Sequence, residues 1–171
     1  MKAPERLIFA IESLSLLMTT PDDWAEAFSM LNDHYKETAT FKHIMIFNPD
    51  LPRYLQLDRE KRLHLVIARE DNKIVGYSLH IIANGLLHYR HVKVADDDIH
   101  YLASHLRGTG AHARMRTFAM QTLKDRGVQL VTARNRVGHE HDNSLKAMGF
   151  EPWDLVYACD LTQWKPPPAE A

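Results

Sequence analysis

Arg107-Gly108-Thr109-Gly110-Ala111-His112 is the stretch on which the reading of this chain turns. Beyond it, Ala111, Met115, Phe118, Ala119 and Thr122 recur at helical spacing until Gly127, which predicts a helix with one apolar face. Ahead of it, Asp98 to Ala103 reads as a strand. Strand, glycine turn and helix in that order can cradle an anion. The first-turn N–H groups lack intrahelical acceptors, and the aligned peptide dipoles place partial positive charge there. Gly108 and Gly110 permit close approach and left-handed dihedrals, and Arg107 and Arg114 would add charge toward a diphosphate. Such a tetrapeptide is also a common simple turn. No Gly-Lys-Ser/Thr marks a nucleoside-triphosphate loop, and no Gly-x-Gly-x-x-Gly follows an N-terminal strand.

Working outward, Thr20-Pro21-Asp22-Asp23 supplies an N-cap, a first-turn proline and acids for a helix to about Glu37, with Trp24, Phe28, Leu31 and Tyr35 on its buried face. Ser13 to Leu16 alternates like a short strand, and residues 1–11 stay open between strand, helix and extension. A short helix is expected near Leu51 to Leu57. Leu63 to Arg69 and Lys73 to Ala83 flank Glu70-Asp71-Asn72 as a hairpin, and Leu86 to Val94 either extends it or leaves it as an excursion. Val128 to Ala133 reads as a strand, and Asp142 or Asn143 would cap a helix closed by Gly149. Trp153, Leu155, Tyr157, Cys159 and Leu161 alternate as a final half-buried strand. The order predicts a mixed α/β (α+β) single domain over residues 1–165, with a Pro-rich tail at 166–171.

Composition narrows the function classes. With 171 residues, 45% hydrophobic and 25% charged, the chain can bury a real core. Its longest apolar runs, such as Leu7–Ile11, are far short of the roughly 20 residues a spanning helix needs, and no secretory signal is read, so no membrane role is expected. Cys159 is the single cysteine, which excludes an intramolecular disulfide and fits a cytoplasmic setting. His139-Glu140-His141 lacks the spacing of a zinc-binding helix, so no metal is expected, and no Gly-x-Ser-x-Gly elbow suggests a hydrolase. The net charge of −1 disfavours general nucleic-acid binding. Yet Arg107, Arg114, Arg116, Lys124, Arg126, Arg134 and Arg136 face only Asp125 between residues 105 and 136, a net +6 that reads either as an anion site or as a solvated basic helix face.

The loop resembles the acyl-CoA loop of the GNAT acetyltransferases, whose pattern is Gln/Arg-x-x-Gly-x-Gly/Ala between a strand and a long helix; here only His112 departs from it. The resemblance runs from about residue 12 to 161: Thr20-Pro21-Asp22-Asp23-Trp24 looks like the start of the first helix, Leu65 to Tyr77 like the family hairpin, and Ala147-Met148-Gly149-Phe150-Glu151-Pro152 like the Gly-Phe element. Asp98-Ile99-His100-Tyr101-Leu102 before Arg107 is most similar to small acetyltransferases of phage genomes. It implies a central, mostly antiparallel, splayed sheet with helices on both faces, acetyl-CoA as cosubstrate, and direct attack by a primary amine of a small molecule or protein. The splayed strand, with Tyr101 and Leu102, would hold pantetheine, and an amide near Leu102 would serve as oxyanion donor. The amides of Arg107, Gly108, Thr109, Gly110, Ala111 and His112 would take the diphosphate, and Asn143 would line the pantetheine tunnel. Homodimers are common in that family.

An ammonium has no lone pair, so a base must remove a proton, and an acid may protonate the departing thiolate. Asp98 and His100 lie two apart, which on a regular strand places both on one face; Asp98 is favoured as base, with His80 on the neighbouring strand a third candidate. Capping a bulge and packing in the core are their plain structural alternatives. The family acid is commonly a tyrosine four residues before the Gly-Phe glycine. That place is Leu145 here, leaving Tyr157 or water. Two rivals stay open: a catalytically silent GNAT-fold binding protein, and a nucleic-acid-binding domain using the Arg107 to Arg136 surface.

Overall fold

Asp71 and Asn72 both adopt positive φ (48° and 68°), which closes the tight turn between β2 (Leu63–Glu70) and β3 (Lys73–Ala83). This hairpin is the centre of the computed structural model, which describes residues 6–134, 142–154, 156 and 158–162. β1 (Leu7–Ile11) pairs antiparallel with β2, and β4 (Val94–Leu102) antiparallel with β3. β5 (Leu130–Ala133) lies parallel to β4, completing the order β1-β2-β3-β4-β5. The sheet is mostly antiparallel with helices on both faces, as the sequence predicts.

Alternation along β2 sorts the two faces. Leu65 and Ile67, with Tyr77 and Leu79 of β3, pack under α1 (Leu14–Thr19) and α3 (Leu51–Arg59), with Trp24 and Leu31 of α2 (Pro21–Thr38) at the margin. Val66 and Ala68 pack with Ala111, Met115 and Ala119 of α4 (Ala111–Asp125) on the other side. α5 (Asp142–Ala147) follows β5.

Several expectations are corrected. Ser13 to Leu16 is not a strand: Leu14 and Leu17 are the buried pair of α1, a helical i, i+3 spacing that outweighs a four-residue alternation. Residues 7–11 resolve as a true edge strand. Leu86 to Lys93 is an excursion with a single bridge between Leu86 and Tyr89, and Val94 already belongs to β4. Among the described residues no strand follows α5: Trp153, Cys159 and Leu161 of the expected final strand are exposed, and Leu155 and Tyr157 lie outside the described residues. No residue of α2 is fully buried, because Phe28 and Tyr35 turn instead to Phe47.

The face under α4 is not uniformly apolar. His64, Ser78, His80 and Arg116 are buried there among Val66, Leu102 and Met115. His64 Nε2 meets Thr122 Oγ1 at 3.0 Å, and the His64 and His80 rings pack edge to face. Burial holds both imidazoles down to about 4, aided by each other for His64 and by Arg116 for His80. The unfolded chain therefore takes up protons below about pH 6.5 that the folded state excludes down to about pH 4. Stability should fall as pH drops across that window, read as the urea midpoint, and His64→Gln should flatten the slope; an unchanged slope would show that His64 is already charged in the native state.

Candidate active site at the fork of the sheet

β5 accompanies β4 from Val94 to Asp97; from Asp98 to Leu102, among the described residues, β4 has a strand partner on one side alone, and the sheet forks. A bulge lies at the same point. His80 pairs with Asp97 and Leu79 with Ile99, so Asp98 is the extra residue. Gly76 faces the end of β4 so closely that a Cβ there would lie 2.8 Å from the Tyr101 carbonyl oxygen.

Three successive carboxylates leave the fork in three directions. Asp96 accepts from Thr132 Oγ1 at 2.7 Å and Arg134 Nη1 at 2.8 Å, tying β4 to the end of β5. Asp97 meets Arg116 Nη2 of α4 at 2.9 Å, with both side chains under 10% exposed. Asp98 accepts from the Tyr54 hydroxyl of α3 at 3.3 Å. Burial raises the Asp98 carboxyl above its ordinary value, with the Tyr54 hydrogen bond opposing and the Asp96 charge adding to the rise. Burial and then the Asp98 charge push the Tyr54 phenol up to about 12.

The bulge corrects the expectation that Asp98 and His100 share a face. Asp98 reaches α3, whereas the His100 ring packs edge to face on His112 of α4, centroids 4.1 Å apart. Both His100 ring nitrogens are buried without a hydrogen-bond partner, and burial, then the nearby His112, holds the imidazole well below its ordinary value. His80 lies on the α4 side as well, 3.8 Å from Asp97.

The glycine turn is built as a cradle. Leu106 and Ala111, fully buried, anchor its two ends, and the Thr109 hydroxyl donates to the Leu106 carbonyl at 2.7 Å. Gly108 and Gly110 take φ of 75° and 84°, and a Cβ on either would meet nothing within 4 Å. The turn's amides are not all open, however: Arg107 N–H donates to the Ser104 carbonyl at 3.1 Å, Thr109 N–H to the Leu106 carbonyl at 3.4 Å and Ala111 N–H to the Thr109 hydroxyl at 3.3 Å, which corrects the expectation that all six amides take the anion. The glycine backbone facing open space fits a diphosphate. The guanidinium groups do not frame it as expected: Arg107 donates to Glu37 of α2 at 2.8 Å and to the Leu102 carbonyl at 3.1 Å, over the Tyr101 ring, and Arg114 lies over Phe9. Of the basic stretch, Arg107, Arg116 and Arg134 each meet an acid, on Glu37, Asp97 and Asp96. Tyr101 stacks on His34 and donates to Glu37 at 2.7 Å, Leu102 is buried in the core under α4, and Asn143 is exposed on α5. Tyr157 lies outside the described residues.

Asp96, Asp97, Arg116, Tyr54 and Glu37 are site residues that the sequence reading does not single out. The run Asp96-Asp97-Asp98 carried a signal: three successive carboxylates in a strand covered on both faces place acids on each face, and a covered acid needs a partner.

No family model and no curated protein matches the sequence. Solved structures match in fold. An aminoglycoside acetyltransferase, meta-AAC0020, from an uncultured soil metagenomic sample, in complex with sisomicin, aligns with a TM-score of 0.67 at 12% identity, over 91% of this chain and 97% of that one. A ribosomal-protein-alanine N-acetyltransferase from Brucella melitensis biovar Abortus 2308 aligns at 0.65 and 13% identity, over 92% and 100%. A predicted acetyltransferase from Clostridium acetobutylicum, with acetyl-CoA, aligns at 0.60 and 14% identity, over 92% and 98%. The chain has the fold of these acetyltransferases.

Gly110 is the position where the turn demands glycine. Gly110→Ala should cost about 1–2 kcal/mol in urea unfolding through the left-handed backbone alone, and Gly110→Asn distinctly less. Equal losses for the two variants would mean that something other than dihedral strain sets the cost.

Proposed function

We propose that the chain is an acetyl-CoA-dependent N-acetyltransferase that acts on a primary amine by direct attack. The observation that carries this reading is the coincidence, where β4 and β5 part, of a glycine turn facing open space and a half-buried carboxylate, Asp98. When bound, acetyl-CoA supplies an activated thioester carbon. Within the turn from Arg107 to His112, the amides of Gly108 and Gly110 would take its diphosphate, since those of Arg107, Thr109 and Ala111 already donate to Ser104, Leu106 and the Thr109 hydroxyl. The free side of β4 from Asp98 to Leu102 offers backbone groups to the pantetheine amides, and the amide near Leu102 donates to the carbonyl oxygen on which negative charge develops. Asp98 takes a proton from the incoming ammonium, directly or through water. Its raised pKa suits that role, since a stronger base is a better proton acceptor. The resemblance of Asp98 to Leu102 to small phage-encoded enzymes and the nitrogen acceptor in the name of the Brucella structure support the same reading.

A second reading, a catalytically silent binding protein of this fold, is favoured by Leu145 at the family's tyrosine place and by the engagement of Arg107 with Glu37. Two measurements separate the readings.

At 100 times its Kd, acetyl-CoA should stabilise the folded chain by about 2.7 kcal/mol, a rise in melting temperature of roughly 5–10 °C, while acetyl-pantetheine lacking the diphosphate gives none. No shift with saturating acetyl-CoA removes the enzymatic reading.

Thiol release over a panel of amines should fall about 100- to 10,000-fold in Asp98→Asn. In the parent protein kcat/KM should decline as pH falls toward the raised Asp98 pKa. Tyr54→Phe removes the hydrogen bond that favours the carboxylate, so the acid limb should move to higher pH. Full activity in Asp98→Asn leaves coenzyme binding intact but passes the base to His100, His80 or water.

A further inference from the structure

On a regular strand Asp97 and Ile99 would share one face and Asp98 the other. In β4 the bulge breaks that rule: Asp97 turns to α4, while Asp98 meets Tyr54 of α3 and Ile99 packs in the core under α1 and α3. We propose that Arg116 is a positioning residue: its buried ion pair with Asp97 holds the bulge, and thereby turns Asp98 to the side of the sheet where it acts. The proposal rests on the assignment of Asp98 as the base.

Three observations support it. Arg116 comes from a rigid place on α4, one residue from fully buried Met115 and one turn from fully buried Ala119, so its guanidinium is a fixed point against which β4 registers. Among the described residues no other ion pair reaches Asp97 but the contact with His80 at 3.8 Å, and burial holds His80 down to about 4 and His100 well below its ordinary value. A buried carboxylate without its cation is strongly disfavoured. The alternative pairing is also close at hand: with acids at 96, 97 and 98, a slip of one residue would offer Arg116 a different aspartate and send Asp98 toward α4. The pair thus chooses one register among three similar side chains. Arg116 also lies over the Phe150 ring at 6.0 Å, which links the bulge to the chain after α5.

The test uses the full chain. The double variant Arg116→Met with Asp97→Leu removes both charges, so no unpaired charge stays buried. It should fold with a cooperative melt and bind acetyl-CoA within about threefold of the parent, but lose about 100-fold in kcat, as expected for a misplaced catalytic group. Its Asp98 carboxyl, followed by carbon NMR, should titrate nearer the ordinary carboxylate range, and the Asp98 and Ile99 amide signals should move. Arg116→Lys, which keeps a cation without the planar fork, should fall between the two, and it serves as the test if the double variant does not fold. A folded variant with kcat within about threefold of the parent overturns the proposal whatever its titration. If the parent itself shows no activity on any amine, the acetyltransferase reading fails separately: an unmoved Asp98 titration then overturns the positioning role, and a moved one sustains it.

Discussion

One strand cannot follow two neighbours that diverge. At Asp97 β4 still has β3 on one side and β5 on the other; at Asp98, among the described residues, it has β3 alone, and the bulge falls at that step. An extra residue raises local twist and leaves its own backbone out of the ladder, so the bulge both opens the fork and ends the pairing with β5. Open backbone on the free edge of β4, the glycine turn at its end and the exit of Asp98 toward α3 all descend from it. Moving the bulge by one residue would leave the elements in place and reassign every side chain on the free edge.

Such a feature is not stable by default. Three adjacent carboxylates repel, and two of them are largely buried, so each must be compensated by a different element: β5 through Thr132 and Arg134, α4 through Arg116, and α3 through the neutral Tyr54 hydroxyl. The difference in partner is a difference in chemistry. Asp96 and Asp97 face cations, whereas Asp98 has only a hydrogen-bond donor. Burial raises the carboxyls of Asp97 and Asp98 alike; the Arg116 charge opposes the rise at Asp97 and the Tyr54 hydrogen bond opposes it at Asp98.

Much of the fold was legible in the sequence because it depends on local signals: the turn at Asp71-Asn72, the Pro21 helix start, the periodicity from Ala111 to Gly127. The glycine turn was legible for the same reason. Side-chain direction around it was not, because it depends on partners distant in sequence. Arg107 reads as an anion ligand until Glu37, seventy residues earlier, is seen beside it. The assumption of regular alternation gave Asp98 and His100 a common face; one inserted residue removes it. Arg116 lies beside the stripe of Ala111, Met115, Phe118, Ala119 and Thr122 that periodicity marks as buried, so it reads with the basic stretch until its acid is located.

Glu37 and Arg116 together show how β4 is clamped. On the face of α2, a carboxylate receives the Tyr101 hydroxyl and the Arg107 guanidinium, and Arg107 in turn donates to the Leu102 carbonyl at the end of the strand. On the face of α4, a guanidinium receives the Asp97 carboxylate at the bulge. The two clamps have opposite polarity and bracket the five residues that face the fork. The outer one is half-exposed and screened by water and salt, so it can yield to a competing anion at the glycine turn; the inner one is shielded from both and cannot. The unequal burial of the two pairs leaves the turn adjustable while the bulge that sets the direction of Asp98 stays fixed.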